Sequence, residues 1–555
     1  YMHIRDGVVM RVVPRENEAV NEVWLSDRDR FSYLGLQHSE RLSTPMIRAE
    51  AGWREASWEE ALELVAKELK VAGSGLNTLI APHATLEELY LAQKLTRGLG
   101  SSNIDHRLRQ RDFRDQDALP VMPWLGHDVA ELERRQAILV IGSDIRHEQP
   151  LLAQRVRKAA LAGAKVSFVN PAVLKQTFAP LENLGVGDAA MVSELAAVLA
   201  ALAPTGLSQS LTALVAAALV DSRHKAIALS LKNAKRAGVY LGGLALAHPD
   251  LAILRQLAQA IAQHSGSSLG ELASAGNSAG AWLAGAVPHR LPGGEHSAQK
   301  GLNALDMLSG TASATLLIGL EPEMDSLQGQ VALRGLQESG FNVVVSPFMT
   351  DAMQSYASVV LPMASFAETS GTYVNSEGLW QGVRAVARAH GEARPAWKIL
   401  RVLGNLLNLK GFEYMSSEDV RDEVRDACGN VELVSTIAAQ DFACTMTQAG
   451  QGLQRVGGVG MYAVDSVVRR ATALQETDAA QASERLRLNP QDMERLGVFA
   501  GELVSVSGDE CKVQMTVQVD DGLPEGCAWI AYGTRVGAIL GDATQIVIKG
   551  GVGHG

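Results

Sequence analysis

The spacing of hydrophobic and polar residues near the start of the chain predicts a helix, a strand and a second helix. In residues 57–70 (SWEEALELVAKELK) the apolar positions recur with the period of one face of an α-helix. Ser57 and Glu60 stand at the positions of a capping box, which predicts where this helix begins. Residues 77–82 predict a buried strand, and residues 85–98 a second helix.

Two later stretches repeat a plan of apolar strand, helix and apolar strand. They are residues 137–142, 151–163 and 164–171 in the first copy, and residues 315–320, 328–339 and 342–347 in the second. Apolar strands that alternate with helices are typical of parallel sheets covered on both faces. The sequence therefore predicts the α/β fold class, with multi-lobed parallel sheets that carry helices on both faces.

The remaining stretches predict less regular structure and a change of architecture towards the C-terminus. Residues 8–13 and 21–25 predict short strands around a polar turn, and residues 188–275 are rich in Ala and Leu and predict mostly helix. Residues 446–485 are polar and predict a linker. From residue 486 onward, short alternating strands separated by Gly, Asp and Pro predict a small closed β-barrel.

Composition and charge restrict the classes of protein to consider. The chain of 555 residues exceeds a single hydrophobic core, and 47% hydrophobic with 20% charged residues is typical of a soluble globular protein. A net charge of -11 argues against nucleic acid as a partner, because phosphate binding needs a clustered basic surface. Apolar tracts such as residues 211–220 are shorter than the ~20 residues that span a bilayer, so we expect only indirect membrane association.

The cysteines and the start of the chain carry two further expectations. The four cysteines are Cys428, Cys444, Cys511 and Cys527. No two have the close spacing of a zinc or iron–sulfur site, so we expect structural thiols in a reducing compartment. The chain begins at Tyr1 without a signal-peptide pattern, and we expect it to be a fragment whose beginning has been removed.

Five stretches, in order along nearly the whole chain, resemble one known family. Residues 358–381 and 485–508 resemble the end of the last α/β domain and the start of the dinucleotide-binding barrel of molybdopterin oxidoreductases. Residues 21–36, 276–290 and 462–475 resemble the large NuoG-type peripheral subunit of respiratory complex I rather than formate dehydrogenases or nitrate reductases. The chain is thus similar to the NuoG-type branch of the molybdopterin oxidoreductase superfamily.

Two positions where this family binds metal carry other residues. Ser26 stands where iron–sulfur members have the last cysteine of a four-cysteine cluster, and a serine hydroxyl is a poor iron ligand. Arg111 stands where active members have the molybdenum ligand, and a guanidinium has no lone pair for a metal. The resemblance therefore implies no catalytic, cofactor-binding or metal-binding residue in this fragment.

The pterin-dinucleotide pocket of the family is also altered in this chain. The resemblance places it at loops that follow strands, and the first loop, residues 142–147, begins with a glycine that could suit a phosphate. The second loop, residues 321–325, has three carboxylates that would repel a diphosphate. Leu379 stands where members of the superfamily commonly have arginine. We predict that the pocket is empty or filled.

Four other features suggest chemistry, and each also has a structural explanation. His147 and His289 could face the old pocket, but we favour structural hydrogen bonds for both. The arginine-rich residues 107–114 could bind an anion, but we favour an interface or a salt-bridge network because aspartates are interleaved. Arg469 and Arg470 suggest a docking element for partner subunits, although solvation of a surface explains them almost as well.

The resemblance implies a subunit of the peripheral arm of NADH-quinone oxidoreductase, which passes electrons from NADH through iron–sulfur clusters to quinone and is coupled to proton translocation. The implied partners are the flavin/NADH-binding and iron–sulfur subunits, on the cytoplasmic side of the bacterial inner membrane. The 2Fe-2S and 4Fe-4S clusters are expected in a missing N-terminal region, and this fragment is expected to be a structural lobe that binds no cofactor. The alternatives are an active molybdopterin enzyme of the formate dehydrogenase kind and a free-standing binding or assembly protein.

The resemblance also implies a division of the chain into four parts. Residues 1–48 would be a remnant of the small 4Fe-4S domain, and residues 49–445 the molybdopterin oxidoreductase-like α/β lobes. Residues 446–485 would be a linker, and residues 486–555 the barrel that resembles a molybdopterin-dinucleotide-binding domain.

Overall fold

A computed structural model describes residues 1–445, 452–508 and 511–550 of the protein. Its strands are β1 (Met2–Arg5), β2 (Val8–Val12), β3 (Met46–Ala49), β4 (Gly52–Glu55), β5 (Leu76–Ile80), β6 (Ile104–Asp105), β7 (Ala137–Ile141), β8 (Lys165–Asn170), β9 (Glu182–Gly185), β10 (Ala237–Leu241), β11 (Ser268–Glu271), β12 (Ala314–Ile318), β13 (Phe341–Ser346), β14 (Val359–Pro362), β15 (Gly371–Val374), β16 (Trp380–Val383), β17 (Leu453–Val456), β18 (Leu486–Leu488), β19 (Leu503–Ser507), β20 (Lys512–Val519), β21 (Cys527–Trp529) and β22 (Gln545–Lys549). Its α-helices are α1 (Asp27–Phe31), α2 (Trp58–Ala72), α3 (Leu86–Gly98), α4 (Ile145–Glu148), α5 (Pro150–Leu161), α6 (Asp188–Ala201), α7 (Gln209–Ala217), α8 (Ser222–Asn233), α9 (Gly243–Leu246), α10 (Leu251–Ser265), α11 (Ser278–Leu283), α12 (Ala304–Ser309), α13 (Pro322–Asp325), α14 (Gly329–Glu338), α15 (Asp351–Tyr356), α16 (Ala396–Leu406), α17 (Ser417–Cys428), α18 (Thr472–Gln475), α19 (Asp478–Ser483), α20 (Pro490–Leu496) and α21 (Arg535–Leu540).

The larger of two parallel sheets has seven strands in the order β4-β3-β14-β13-β12-β5-β6. The strands from β14 to β6 run parallel, and β3 and β4 extend one edge in antiparallel pairing. At the centre, Leu317 of β12 lies between Leu79 of β5 and Val344 of β13, and all three side chains are buried. The three apolar strands predicted around these residues are therefore confirmed.

The smaller parallel sheet has five strands in the order β11-β10-β7-β8-β9. Its predicted strand–helix–strand unit, β7 to β8, is confirmed. The stretch 188–275 is mostly helical, as predicted, but it also contributes strands β10 and β11. These strands have only five and four residues, too few for a helical or an alternating period to be recognised.

Both sheets reverse their winding direction between two neighbouring parallel strands. The chain runs from β7 to β8 and β9 on one side and returns to β10 and β11 on the other. In the larger sheet β5 leads to β6, whereas β12 leads to β13 and β14 on the opposite side. Such a switch point leaves a crevice at the carboxyl ends of the adjacent strands, where open α/β sheets bind ligands. We call the crevice between residues 142–148 and 242–243 the first crevice, and that between residues 81–85 and 319–325 the second crevice.

The C-terminal strands form a closed barrel in the order β17-β21-β18-β20-β19-β22, as the alternating pattern predicted. Strand β17 lies inside residues 446–485, the stretch expected to be a linker, so the barrel also recruits this upstream segment. The sequence did not indicate β17 as a buried strand, because Gln454 and Arg455 are polar residues. Both are nevertheless buried. The Arg455 guanidinium donates a hydrogen bond of 2.7 Å to the carbonyl of Gly541.

The N-terminal region contains a two-stranded antiparallel hairpin, β1 and β2, and the helix α1. The strand predicted at residues 8–13 is confirmed, but the one predicted at residues 21–25 is absent from the described structure. An isolated bridge joins Asn17 and Glu22, and the Asn21 carboxamide donates hydrogen bonds to two carbonyl oxygens of this turn. The asparagine side chain competes here with strand pairing.

Helix α2 begins where the sequence predicted, but only one of the two hydrogen bonds of the expected capping box is formed. The Ser57 hydroxyl accepts a hydrogen bond of 3.1 Å from the backbone N–H of Glu60. The Glu60 carboxylate instead forms an ion pair with Arg54. Among the described residues, no helix has both the length and the apolar character needed to cross a membrane.

We expect Leu139→Ala to lower the free energy of unfolding by about 2–5 kcal/mol, because Leu139 is fully buried in β7 and its removal leaves a cavity. The matched control is Leu161→Ala at the end of α5, where the leucine is 64% exposed; we expect a change within about 0.5 kcal/mol. Urea denaturation followed by circular dichroism measures both. Equal losses in the two variants would contradict the assigned core.

Candidate functional site

Arg111, for which the resemblance predicted the position of a metal ligand, lies between the α/β lobes and the barrel. Its Nη2 donates a hydrogen bond of 2.8 Å to the hydroxyl of Tyr532. The guanidinium of Arg455 stacks on the same tyrosine ring, 4.0 Å from its centre. Burial lowers the pKa of Arg111, but Tyr532 and Asp188 outweigh burial and leave that pKa raised. The side chain is therefore a permanent cation that binds the barrel and has no lone pair for a metal.

The other arginines around this position are matched by carboxylates. Arg107 forms a buried ion pair of 2.7 Å with Asp105. Arg114 pairs with Asp112 at 2.7 Å and with Asp250 at 3.1 Å. The prediction of a salt-bridge network in this arginine-rich stretch, in place of an anion site, is confirmed.

The first crevice holds a carboxylate of the protein itself. The Glu148 carboxylate accepts hydrogen bonds from the Ser143 hydroxyl at 2.7 Å and from the Gly243 N–H at 3.0 Å. Its second oxygen accepts a longer bond of 3.3 Å from the N–H of Asp144. Burial raises the pKa of Glu148 to about 7. The glycine-started loop that could have suited a phosphate is thus already bonded to an internal acid.

The second crevice holds three buried carboxylates and the cations that balance them. Arg469 pairs with Glu321 at 2.8 Å and with Asp325 at 2.9 Å. Arg109 reaches Asp325 at 3.4 Å. Burial alone would raise the pKa of Asp325, but Arg469 outweighs it and holds that pKa below its usual value. Burial raises the pKa of Glu323 to about 8, and the neighbouring Glu321 adds to the effect.

The paired arginines Arg469 and Arg470 are part of this internal network. We expected a docking element or a solvated surface, and both expectations are wrong, because each arginine side chain is 9% exposed. Arg470 pairs with Glu321 at 2.8 Å and with Glu40 at 2.6 Å. Its guanidinium also lies 4.1 Å from the centre of the Phe348 ring. The segment that carries both arginines is therefore fixed against residues 321–325, on one side of the second crevice.

Ser26 and Leu379 have local structural roles. The Ser26 hydroxyl accepts a hydrogen bond of 3.1 Å from the N–H of Asp29 and so caps helix α1. Leu379 lies exposed between β15 and β16, and its N–H donates a hydrogen bond of 2.9 Å to the Asn375 side chain. At these two positions the chain has a helix cap and an apolar surface residue.

The two histidines differ in how they meet our expectation. His147 has the expected structural hydrogen bond, 2.6 Å between its Nδ1 and the Asp144 carboxylate. His289 is fully buried, and neither of its ring nitrogens has a hydrogen-bond partner among the described residues. It lies edge-on to Trp282, with ring centres 5.4 Å apart, and burial lowers its pKa to about 3. The expected structural hydrogen bond of His289 is therefore not found.

The four cysteines are free thiols. Burial raises the pKa of Cys428 to about 11 and that of Cys527 to about 12, so both stay protonated near neutral pH. A protonated thiol is a poor metal ligand. Within the described parts of the chain, no three His, Cys, Asp or Glu side chains group as a metal site would require.

Three residues of these sites escaped the sequence analysis. Glu148 stands one position past the predicted loop, and Tyr532 and Arg455 lie in barrel segments that carry no motif. A carboxylate at the end of a glycine-started loop is the one sequence feature that could have indicated Glu148. The partners of Tyr532 and Arg455 are distant in sequence, so no local pattern predicts them.

Three family models match the chain. The molybdopterin oxidoreductase family matches residues 41–406, which is about two thirds of the chain. The molydopterin dinucleotide binding domain matches residues 457–547. The 4Fe-4S domain described as NADH-ubiquinone oxidoreductase NDSU1/NuoG-like matches residues 1–34, a stretch without cysteine.

Curated relatives of two kinds are similar to the chain. The mitochondrial NADH-ubiquinone oxidoreductase 78 kDa subunit of Candida albicans is 28% identical over 407 residues, which cover 72% of this chain and 50% of that protein. The NADH-ubiquinone oxidoreductase 75 kDa subunit of Reclinomonas americana is 26% identical, covering 75% of this chain and 56% of that one. A formate dehydrogenase alpha subunit of Methanocaldococcus jannaschii is also 26% identical, covering 76% of this chain and 70% of that one. The chain spans about half the length of the two NADH-ubiquinone oxidoreductase relatives.

A solved structure agrees with the fold. Acetylene hydratase from Pelobacter acetylenicus superposes with a TM-score of 0.66 at 14% identity, covering 94% of this chain and 89% of that one. At this identity the likeness concerns the fold alone.

The residues of this chain do not fit a molybdenum–pterin group or an iron–sulfur cluster. Arg111, the predicted counterpart of the metal ligand, is a cation bonded to Tyr532, and Ser26, the predicted counterpart of a cluster cysteine, caps a helix. The loop donors of the first crevice are bonded to Glu148, and Arg469 is paired with two carboxylates of the second. Binding a diphosphate at these places would require breaking these contacts.

We expect Arg469→Ala to lower the free energy of unfolding at pH 7 by about 3–5 kcal/mol, because it leaves Glu321 and Asp325 buried beside fewer cations. The matched control is Arg134→Ala, which breaks an exposed pair with Glu131 and should change stability by less than about 1 kcal/mol. Urea denaturation compares the two. A loss for Arg469→Ala no larger than the control would refute the buried network.

The raised pKa of Glu323 predicts a pH dependence of stability. Its pKa rises from 4.5 to about 8 on folding, so the folded state binds this proton more tightly than the unfolded chain. The resulting stability is complete below about pH 4.5 and is lost as the pH rises to about 8. The stability of the wild type relative to Glu323→Gln should therefore decrease between pH 5 and pH 8.

Urea denaturation at several pH values in this range measures the difference. The groups that face Glu323 are Glu321, Asp325, Arg469 and Tyr356, and the Gln variant leaves all of them in place. Glu59→Gln, at an exposed position of α2, is the matched control for loss of a surface carboxylate. A difference between the wild type and Glu323→Gln that stays constant from pH 5 to pH 8 would refute the assigned shift.

Proposed function

This chain is a NuoG-type member of the molybdopterin oxidoreductase family, and from that premise we propose that it is a structural lobe of the peripheral arm of NADH-quinone oxidoreductase. In this role it supports electron transfer from NADH through iron–sulfur clusters to quinone, coupled to proton translocation, without a redox centre of its own. The single observation that carries the proposal is the hydrogen bond to Tyr532 of Arg111, a cation at the predicted position of a metal ligand.

The contact between Arg111 and the barrel supports a structural role for this chain. A ligand position must be free to approach a metal, whereas this side chain is committed to the barrel. The hydrogen bond joins the α/β lobes to the barrel, and within the barrel Arg455 stacks on the same tyrosine. A protein can keep its fold after it has lost the site of its chemistry. Such a chain can still present a surface that contacts other subunits.

The proposed partners are the flavin/NADH-binding and iron–sulfur subunits of the complex. The 2Fe-2S and 4Fe-4S clusters would be held by a region outside these residues, and the lobe would support that region. The proposed location is the cytoplasmic side of the bacterial inner membrane, attached through the complex. We keep the division into residues 1–48, 49–445, 446–485 and 486–555 as a proposal, with β17 assigned to the barrel.

A second candidate function is an active molybdopterin-dependent oxidoreductase of the formate dehydrogenase kind. The similarity to a formate dehydrogenase alpha subunit over 474 residues favours it. The cation at position 111 and the internal partners in both crevices oppose it. The two candidates differ in metal content and in the proteins that accompany the chain.

The test is to tag this chain in its native host and to purify it under native conditions with its partners. We expect it to copurify with a flavin protein and NADH-quinone reductase activity, with molybdenum and tungsten at background by elemental analysis. Stoichiometric molybdenum or tungsten together with formate oxidation would establish the second candidate. Purification without flavin protein or metal would favour a free-standing assembly protein and also overturn the proposal.

A matched pair of variants tests the crevices in the same host. Arg111→Cys supplies a metal-ligating thiol and Arg111→Ala supplies none, while both remove the bond to Tyr532. We expect both to keep molybdenum at background, because a ligand cannot hold the metal without a bound pterin. Molybdenum uptake in Arg111→Cys alone would mean that the pterin pocket is intact, and the structural-lobe proposal would fail.

A further inference from the structure

We propose that Glu148 closes an anion-binding site in the first crevice, where its carboxylate occupies the place that a phosphate group would take. The site consists of the Ser143 hydroxyl and the backbone N–H groups of Asp144 and Gly243. The inference concerns residues of this chain alone and does not depend on the proposed role in the respiratory complex.

The position of the site follows from the winding of the five-stranded sheet. Strands β7 and β10 are parallel neighbours, and the chain leaves them in opposite directions. Loops at such a point separate and leave room for a ligand at the carboxyl ends of the strands. Glu148 ends the loop and short helix that follow β7, and Gly243 follows β10. The carboxylate therefore bridges the two loops of the switch point.

Glycines bring the two loops close enough to share one acceptor. A Cβ on Gly242 would lie 2.2 Å from Cβ of Ser143, and a Cβ on Gly142 would lie 2.4 Å from the N atom of Ala245. A Cβ on Gly243 would lie 3.1 Å from the Glu148 carboxyl carbon. Only residues without a side chain allow the backbone to approach the acceptor so closely, the use that phosphate-binding loops make of glycine.

The hydrogen-bond donors around Glu148 are uncharged. Within the described residues, Glu148 forms no ion pair, and its carboxylate is held by a hydroxyl and two amides. Arg28 reaches only the backbone carbonyl of Glu148, at 3.2 Å. Burial raises the pKa of the carboxyl to about 7, and the nearby Asp144 opposes its ionisation. Converging neutral donors at a half-buried position can hold an anionic oxygen.

The ligand class that fits these donors is inorganic phosphate or diphosphate. Removal of the Glu148 carboxylate would leave three donors without their acceptor in a half-buried space, and two oxygens of a phosphate can take the places of the two carboxylate oxygens. In the wild type the Glu148 side chain excludes such an anion by occupying the donors. Glu148→Gln keeps the side-chain volume and should also exclude it.

The test measures pyrophosphate binding to the full chain by calorimetry and by thermal denaturation at constant ionic strength. We expect Glu148→Ala and Glu148→Ser to bind pyrophosphate with a saturable rise in melting temperature. The wild type and Glu148→Gln should show no rise beyond that produced by sodium chloride. A folded Glu148→Ala protein that fails to bind, or equal binding by all four proteins, would overturn the proposal.

Ser143→Ala in the Glu148→Ala background provides the control for location. Loss of one hydrogen bond to a charged group should weaken pyrophosphate binding by about tenfold or more. An unchanged affinity would place the anion elsewhere and refute the site. If neither Glu148→Ala nor Glu148→Ser folds even with pyrophosphate present, an external anion cannot replace the carboxylate, and the proposal is likewise refuted.

Discussion

At each switch point, polar groups are withdrawn from water, and the protein must supply their partners. An unpaired buried carboxylate or N–H costs several kcal/mol, so these positions constrain distant parts of the chain. The donors of the first crevice are matched by Glu148, and the carboxylates of the second by Arg109, Arg469 and Arg470. Because two of these arginines stand between β17 and β18, the same charge balance fixes the segment that joins these two barrel strands.

The fold of this chain does not depend on the residues that we predicted at its ligand sites. The likeness to acetylene hydratase covers 94% of the chain, although Arg111, the predicted counterpart of the metal ligand, carries a guanidinium. Arg111 retains a use, since its cation bonds to Tyr532 at the boundary with the barrel. The architecture of a multi-lobed protein depends on buried apolar strands, and these are insensitive to the few residues that bind a cofactor.

The sequence predicted those parts of the fold whose information is local. The apolar stretch around Leu139 and the alternating stretch around Val517 indicated the parallel sheets and the barrel, because burial on one or two faces imposes a period. It missed β17, because Arg455 is buried through bonds to residues more than eighty positions away. We expected Arg469 on the surface for the same reason. Arginine is usually exposed, and the carboxylates that pair with Arg469 are distant from it in sequence.

The order of the strands also determines when each part of the molecule can form during synthesis. All five strands of the smaller sheet lie between β5 and β12, which are direct neighbours in the larger one. The smaller sheet can therefore assemble from a continuous stretch of nascent chain before β12, one of the two neighbours of β5, has been synthesised. The barrel closes last, because β17 pairs with β22 near the end of the chain. Until the ribosome has made β22, β17 keeps an unpaired edge that a chaperone could recognise.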